Sequence, residues 1–253
     1  TSLSFSIFYN PTKDLFAIDF RGTVGPLELL EEVLETFGTP YTLLKIPGNI
    51  LVQDYFYSHY VKYIRSDLIM NIKKAKLELL TPNTTILFTG HSLGAALTLH
   101  SAIDAKLEGL LDNLKILVYV YGCPRVGNSD FTDLFNTLFP EAYRIVHHRD
   151  IVARLPPCVP DISTGRCIKS NWGGIFWYPY HFNHEVYYSE GMEPGNFTIC
   201  HDEDPNCQNQ YSFFMGSIDD HHNYFNQHMG CIPFFVASNN ITDILPRNNT
   251  FYN

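Results

Sequence analysis

ILFTGHSLGAAL (residues 86–97) is the stretch of this sequence that combines a strand pattern, a glycine-bounded serine and a helix pattern. The bulky apolar run at its start predicts a buried strand, and helix-forming residues continue from Ala95 to Leu107. Between them, GHSLG fits the G-x-S-x-G pattern of a nucleophile elbow. Such a sharp turn projects the Ser92 hydroxyl, while Gly90 and Gly94 let the strand and the helix approach closely. A chance match in a tight turn is the alternative, but the flanking elements favour a nucleophilic Ser92.

Length, composition and charge limit the class of protein. The chain has 253 residues, of which 45% are hydrophobic, and a single α/β domain can reach this size. The formal net charge of −9 argues against partners such as nucleic acid or anionic membrane surfaces. No apolar run is as long as a membrane-spanning helix, which needs about 18 residues. We predict one domain over residues 1–236, a loosely ordered polar tail over residues 237–253, and no cofactor.

The six cysteines include two pairs that are close in sequence and lie in polar, glycine- and proline-containing loops: Cys158 with Cys167, and Cys200 with Cys207. Such spacing favours local disulfides and therefore a secreted protein or another oxidising compartment. Metal ligation is the alternative, although no C-x-x-C pattern is present. Glycosylation sequons, which give mild further support for secretion, occur at Asn83, Asn196, Asn240 and Asn248.

Strand and helix patterns alternate along the chain after an N-terminal hairpin. Residues 4–9 and 15–20 predict two antiparallel strands, and residues 54–80 predict a long helix. Residues 85–150 then follow a βαβαβ pattern, which predicts a mostly parallel central sheet. Within it, the first strand is the apolar run that begins at Ile86 and leads into GHSLG, further strands are predicted at 115–121 and 143–147, and helices are predicted at 95–107 and 131–139. Ligands of such sheets collect at the carboxyl ends of strands, which is where Ser92 and Asp150 lie.

A serine nucleophile needs a base that takes its proton and a carboxylate that orients the base. In hydrolases with this elbow the carboxylate and the histidine follow the serine in that order, and Asp150 and His221 satisfy the order. Other histidines are alternatives: His91 is expected to point away from Ser92, His147 and His148 could be structural, and His222 is the nearest rival. The run DDHH at residues 219–222 could also indicate a metal site.

The reaction also needs hydrogen-bond donors for the oxyanion that forms during attack. The backbone N–H of Leu93, directly after the nucleophile, is one candidate donor. The N–H of Thr23, at the end of the second hairpin strand and assisted by its hydroxyl, is the other. An alternative interpretation of Thr23 is a helix-entry residue, because an amphipathic pattern with four glutamates on its polar side follows at residues 27–37.

Several segments together resemble the fungal-type (class 3) lipases, which have the α/β-hydrolase fold. They are FRGT (20–23), TGHSLGAAL (89–97), YGCPRVG (121–127), RDIV (149–152) with LPP (155–157), HFNHEVY (181–187), and His221 three positions before YF (224–225). The resemblance implies a triad of Ser92, Asp150 and His221, with Thr23 and Leu93 as the oxyanion hole. It favours His221 over His222 because of its distance from the Tyr-Phe pair.

The resemblance also implies a function for the helix at residues 27–37. It would be a helical lid whose apolar residues cover the substrate cleft in water and meet lipid when it opens. A surface helix packed on the core is the alternative. The lid residues would be Leu27, Leu30, Val33, Leu34 and Phe37.

Three features depart from the family pattern. Cys123 stands where polar residues are common, and Asn183 replaces a usual glycine. The family carries a longer segment before the hairpin. In fungal members a disulfide links that segment to a cysteine at the position of Cys231. We therefore expect a chain that is trimmed, cleaved or naturally short, which intact-mass measurement with thiol counting tests.

The expected function is a secreted, monomeric serine hydrolase that cleaves carboxylic esters of lipids at a lipid–water interface, like a triacylglycerol lipase. Phospholipase A1 and feruloyl-type esterase use the same chemistry and stay as alternatives. A catalytically silent interaction module is the alternative from another class, and acyl transfer to an alcohol is a weaker one.

Overall fold

The computed structural model describes residues 3–22, 41–44, 46, 48–169 and 178–229. Its first element is a hairpin of β1 (Phe5–Asn10) and β2 (Leu15–Phe20), paired antiparallel with Phe5 opposite Phe20. A separate two-stranded antiparallel sheet contains β3 (Tyr41–Leu43) and β4 (Leu51–Gln53). The predicted hairpin is therefore confirmed.

Four parallel strands continue the main sheet from β2. They are β5 (Thr85–His91), β6 (Lys115–Tyr121), β7 (Ala142–His147) and β8 (Glu185–Tyr188). The strand β9 (Thr198–Cys200) pairs antiparallel with β8, so the sheet order is β1-β2-β5-β6-β7-β8-β9. A mostly parallel sheet with an N-terminal antiparallel hairpin was predicted and is confirmed, whereas the antiparallel strand at the far edge was not predicted.

The helices confirm the predicted alternation. The predicted helix at 54–80 consists of α1 (Asp54–His59), a π-helical turn (Tyr60–Ile64) and α2 (Arg65–Glu78). The connections between the parallel strands contain α3 (Leu93–Leu107) and α4 (Ser129–Leu138). Near the end of the described chain, the short helix α5 (Ile218–His222) precedes β10 (Asn223–Tyr224) and β11 (Gln227–His228). Single 3-10 turns occur at Val152–Arg154, Gln208–Gln210 and Phe213–Met215.

The main core lies between the sheet and α3. Every residue of this helix from Leu93 to Ile103 is buried, because its alanines and leucines face the sheet on one side and other helices on the other. Alternate residues of the central strands, such as Ile86, Phe88 and Val118, are also fully buried. The helix after Ser92 is therefore held by packing along nearly its whole length.

Disulfides and buried ion pairs hold the long loops after β7. The predicted disulfides Cys158–Cys167 and Cys200–Cys207 both form, which is consistent with an oxidising compartment. Cys123 is a buried free thiol. Two ion pairs are fully buried, Arg125 with Glu203 and Arg144 with Glu185, each with a shortest N–O distance of 2.8 Å.

Several predictions fall on residues outside the described ranges: Thr23, the helix at 27–37, Cys231 and the tail at 237–253. They stay predictions. Among the helices that the structure describes, none is long and apolar enough to cross a membrane.

Candidate active site

Ser92 occupies a strained turn between β5 and α3. Its backbone has φ +60° and ψ −128°, a conformation that non-glycine residues rarely adopt and that costs about 1–3 kcal/mol. The turn is held on both sides, since the Ser92 N–H donates to the Tyr121 carbonyl at 3.0 Å and its own carbonyl accepts from the Ala95 N–H at 2.9 Å. The strand–turn–helix context required for a nucleophile elbow is therefore present.

Gly90 and Gly94 are needed because backbone segments touch at their positions. A Cβ at Gly90 would lie 2.6 Å from the carbonyl oxygen of Gly94, and one at Gly94 would lie 2.1 Å from the carbonyl oxygen of Phe20. Both distances are well below 3.0 Å, which real Cβ atoms essentially never show. The predicted reason for these glycines, close approach of strand and helix, agrees with this geometry.

The Ser92 Oγ is buried and has no hydrogen-bond partner within the described part of the chain. Directly after it, Leu93 is the first residue of α3. The Leu93 N–H, the first of the helix, has no acceptor within the helix, and it lies at the positive end of the helix dipole. The backbone next to Ser92 can thus donate to a negatively charged oxygen.

Asp150 lies after β7, fully buried, and accepts hydrogen bonds on both carboxylate oxygens. The N–H groups of Val152 and Ala153 donate to Oδ1 at 2.8 and 3.3 Å, and the Tyr224 hydroxyl donates to Oδ2 at 2.5 Å. His221 Nδ1 lies 2.9 Å from each oxygen. Burial by itself would raise the pKa of Asp150, but attraction to His221 and the hydrogen bonds from His221 and Tyr224 outweigh it and lower the pKa to about 2.

An ionised Asp150 determines the tautomer of His221. Because the carboxylate accepts only, Nδ1 of the imidazole must carry the proton that bonds to it, and Nε2 of the neutral ring is then free to accept one. His221 is itself buried. The pair can therefore work as an oriented general base.

His91 packs behind His221 and does not replace it. Its Nε2 lies 2.8 Å from the His221 carbonyl oxygen, and the two imidazole rings stack with centroids 4.4 Å apart. Burial, followed by repulsion from His221, lowers the pKa of His91 to about 3, so the ring is neutral and its Nε2–H donates. This contact agrees with the interpretation of His91 as a packing residue.

The other rival histidines face different partners. The Nδ1 of His147 lies 3.2 Å from the Asp220 carbonyl oxygen, and that of His148 lies 3.2 Å from Asp220 Oδ2. The His222 ring lies against the His228 ring, with centroids 5.4 Å apart. Among the histidines in the described ranges, His221 is the one that bonds to Asp150. The same ranges contain no group of three or more His, Cys, Asp and Glu side chains that could hold a metal ion.

Sequence reasoning assigned no role to Gly122 or Tyr224, although both lie in the segments that carry the family resemblance. Gly122 has φ +53°, and a Cβ there would lie 2.6 Å from Asp150 Oδ2 and 2.8 Å from His221 Nδ1. Tyr224 is fully buried against Asp150. Burial, and then the charge of Asp150, raise the pKa of the Tyr224 phenol, so the hydroxyl stays a donor. The available signals were a glycine directly after a strand and a tyrosine three residues after His221.

Arg125 was missed as well, and it anchors the loop that follows Asp150. Its guanidinium donates to the carbonyl oxygens of Arg154 and Pro156 at 2.7 and 3.0 Å and forms a bidentate pair with Glu203. Burial opposes ionisation of Glu203, but the attraction of Arg125 lowers the pKa of this carboxyl well below its usual range. The loop behind Asp150 is thus fixed by a satisfied buried network.

Comparison with known proteins adds to this geometry. The sequence model of the family Lipase (class 3) matches residues 17–160 of this chain. This range includes the elbow at Ser92 and the buried Asp150. This chain belongs to the class 3 lipase family.

Individual relatives show how far the similarity extends. A lipase of Caenorhabditis elegans is 32% identical over 229 residues, which cover 81% of this chain and 60% of the relative. Phospholipase A1-IIdelta of Arabidopsis thaliana is 34% identical over 96 residues, 37% of this chain and 23% of the relative. The chain therefore spans about three fifths or less of the length of these relatives.

The fold of this member of the family also resembles solved lipase structures. The lipase from Rhizopus microsporus var. chinensis superposes with a TM-score of 0.70 and is 26% identical, over 89% of this chain and 71% of that one. The predicted α/β-hydrolase fold of the family is confirmed.

Proposed function

We propose that this class 3 lipase hydrolyses carboxylic ester bonds of lipids through an acyl-enzyme on Ser92, with His221 as the general base and Asp150 as its orienting carboxylate. The observation that carries the proposal is the buried Asp150–His221 pair, bonded at 2.9 Å, in a chain whose Ser92 occupies a strained strand-to-helix turn. Membership of the lipase family supports the same chemistry.

In the proposed mechanism, Nε2 of His221 takes the proton of the Ser92 hydroxyl as Oγ attacks the ester carbonyl carbon. The negative charge on the carbonyl oxygen is stabilised by the N–H groups of Leu93 and Thr23. The protonated His221 then donates its proton to the departing alcohol, which leaves an ester on Ser92. A water molecule, deprotonated by His221, releases the fatty acid in the same way.

Triacylglycerol-type glycerides are the proposed substrates, met by a secreted monomer at a lipid–water interface. The support is the lipase family and the two disulfides, together with the amphipathic pattern of the lid residues 27–37. Phospholipid is the second candidate substrate, because the similarity to the Arabidopsis phospholipase A1 reaches 34% over 96 residues.

Hydrolysis of emulsified glycerides and of phospholipid vesicles by wild type and Ser92→Ala tests the proposal. Ser101→Ala is the matched control, since Ser101 is a buried serine on α3 whose Oγ also lacks a partner in the described ranges. We expect activity and fluorophosphonate labelling to vanish in Ser92→Ala and to persist in Ser101→Ala. Activity that survives in Ser92→Ala, or a folded wild type that is not labelled and is silent on every ester, would overturn the mechanism. The glyceride-to-phospholipid rate ratio decides between the two substrates.

The lid makes a separate prediction. If residues 27–37 cover the cleft in water, the rate should jump once the substrate concentration passes the point at which an interface forms. A smooth saturation curve through that point would show that this helix only covers the core.

A further inference from the structure

The segments that carry Asp150 and His221 are joined by two sets of contacts. The first set is at Ser217, whose N–H donates to the Arg149 carbonyl at 2.7 Å and whose carbonyl accepts from the Ile151 N–H at 3.2 Å. Ser217 is the N-cap of α5, so these bonds hold the beginning of that helix. His221 comes four residues later.

The second set of contacts is made by Asp220, the residue directly before His221. Its Oδ2 accepts from the backbone N–H of Arg149 at 3.0 Å and faces the His148 Nδ1 at 3.2 Å. Its carbonyl oxygen lies 3.2 Å from the His147 Nδ1, and its own N–H donates to the Ser217 Oγ at 3.0 Å. One residue thus reaches the three positions that precede Asp150.

We propose that Asp220 is a positioning residue, which holds the imidazole of His221 in register with the carboxylate of Asp150. This inference rests on the proposed function of His221. It adds a side chain that touches neither the substrate nor the reacting atoms and acts through the two residues that do.

The physical reason is the shortness of α5. A helix of five residues, Ile218–His222, is not stable by itself and takes its position from tertiary contacts. A carboxylate that accepts from a backbone N–H forms a charge-assisted hydrogen bond, which is stronger than a neutral one. Because catalytic groups must be held within about 0.5 Å of the productive geometry, the anchor closest to His221 matters most.

Asp219 provides a matched control in the same helix. Its side chain is exposed, and its carboxylate makes no hydrogen bond to the residues described here. Asp219→Ala therefore removes the same charge and the same number of atoms from the neighbouring position. Asp220→Asn is the conservative variant, because its amide oxygen can still accept from the Arg149 N–H.

The experiment measures kcat and KM per fluorophosphonate-labelled site, together with the far-downfield proton resonance of the His221 Nδ1–H bound to Asp150. For Asp220→Ala we expect kcat to fall about 10- to 100-fold, with KM within about twofold, and the resonance to shift or broaden. Asp220→Asn should stay within about threefold of wild-type kcat, and Asp219→Ala should match wild type in both measurements.

The positioning role is wrong if Asp220→Ala keeps the kcat and the resonance of Asp219→Ala. If Asp220→Ala does not fold, Asp220→Asn and Asp220→Glu decide. Glutamate keeps the charge but displaces the acceptor, so the proposal requires a larger loss of kcat in Asp220→Glu than in Asp220→Asn, and the opposite order overturns it. A failure of the proposed function can be distinguished from a failure of the positioning role. The first would appear as full activity in His221→Ala, whereas the proton resonance still reports whether Asp220 orients the imidazole ring.

Discussion

Gly122→Ala is expected to damage the Asp150–His221 pair directly. A Cβ at this position would lie 2.6 Å from Asp150 Oδ2 and 2.8 Å from His221 Nδ1, whereas ordinary contact begins at 3.4 Å. The methyl group therefore stands about 0.8 Å too close to the carboxylate, which exceeds the tolerance of about 0.5 Å for a catalytic group. Displacement of this size lowers rates about 100-fold, so we expect a loss of that order in kcat.

Stability changes in the same variant through two effects. Alanine at φ +53° costs about 1–2 kcal/mol, and forcing a methyl group into a filled space costs about 1–3 kcal/mol more. Gly109→Ala separates the two, since Gly109 has φ +68° but its Cβ would meet its nearest neighbour, Asp112 Oδ2, at an ordinary 3.4 Å. Gly109→Ala should lose stability by the first amount only and keep wild-type kcat.

The assay combines urea unfolding with ester hydrolysis at an emulsified substrate for wild type and both variants. The reasoning is refuted if Gly122→Ala loses no more stability than Gly109→Ala and hydrolyses substrate within threefold of the wild-type rate. That result would mean that the pair tolerates a methyl group at its closest backbone contact.

Three further predictions concern two buried polar side chains and one disulfide. Tyr224→Phe removes a hydrogen bond to the charged Asp150 and should lower the unfolding free energy by about 1.5–3 kcal/mol at pH 7; an unchanged urea midpoint would contradict it. His100 is fully buried, and burial lowers its pKa to about 3. As the pH falls below about 6.5, the histidine of the unfolded chain binds a proton and that of the folded chain does not, so the free energy of unfolding decreases. At pH 5, His100→Phe should avoid about 2 kcal/mol of this decrease. Parallel curves of unfolding free energy against pH for wild type and His100→Phe would contradict this prediction. Replacing Cys158 and Cys167 by alanine opens their loop and should lower the unfolding free energy by about 2–3 kcal/mol, with unchanged thermal unfolding as the opposing result.

The elements that depend on short-range patterns were predictable from the sequence. Strands such as β6 (Lys115–Tyr121) and the helix after Ser92 follow from apolar periods and from glycines within a few residues, and they appear where these patterns indicate. The strand β9 was not predicted, since three residues after a turn carry too little pattern. The lid at 27–37 and Thr23 lie outside the described residues and stay predictions.

The sequence by itself determined the fold class, the serine turn and the order of the candidate triad, because each depends on local spacing or on chain order. It left several histidines as possible bases, and only the resemblance to a family chose His221. The contact between His221 and Asp150 itself came from the tertiary structure, since the two residues are 71 positions apart and no local pattern connects them. The roles of Gly122 and Tyr224, and the role proposed for Asp220, likewise came only from tertiary packing, because each residue acts on a partner distant in the chain. The turn Gly90-His91-Ser92-Leu93-Gly94 can form an active site only together with these distant residues.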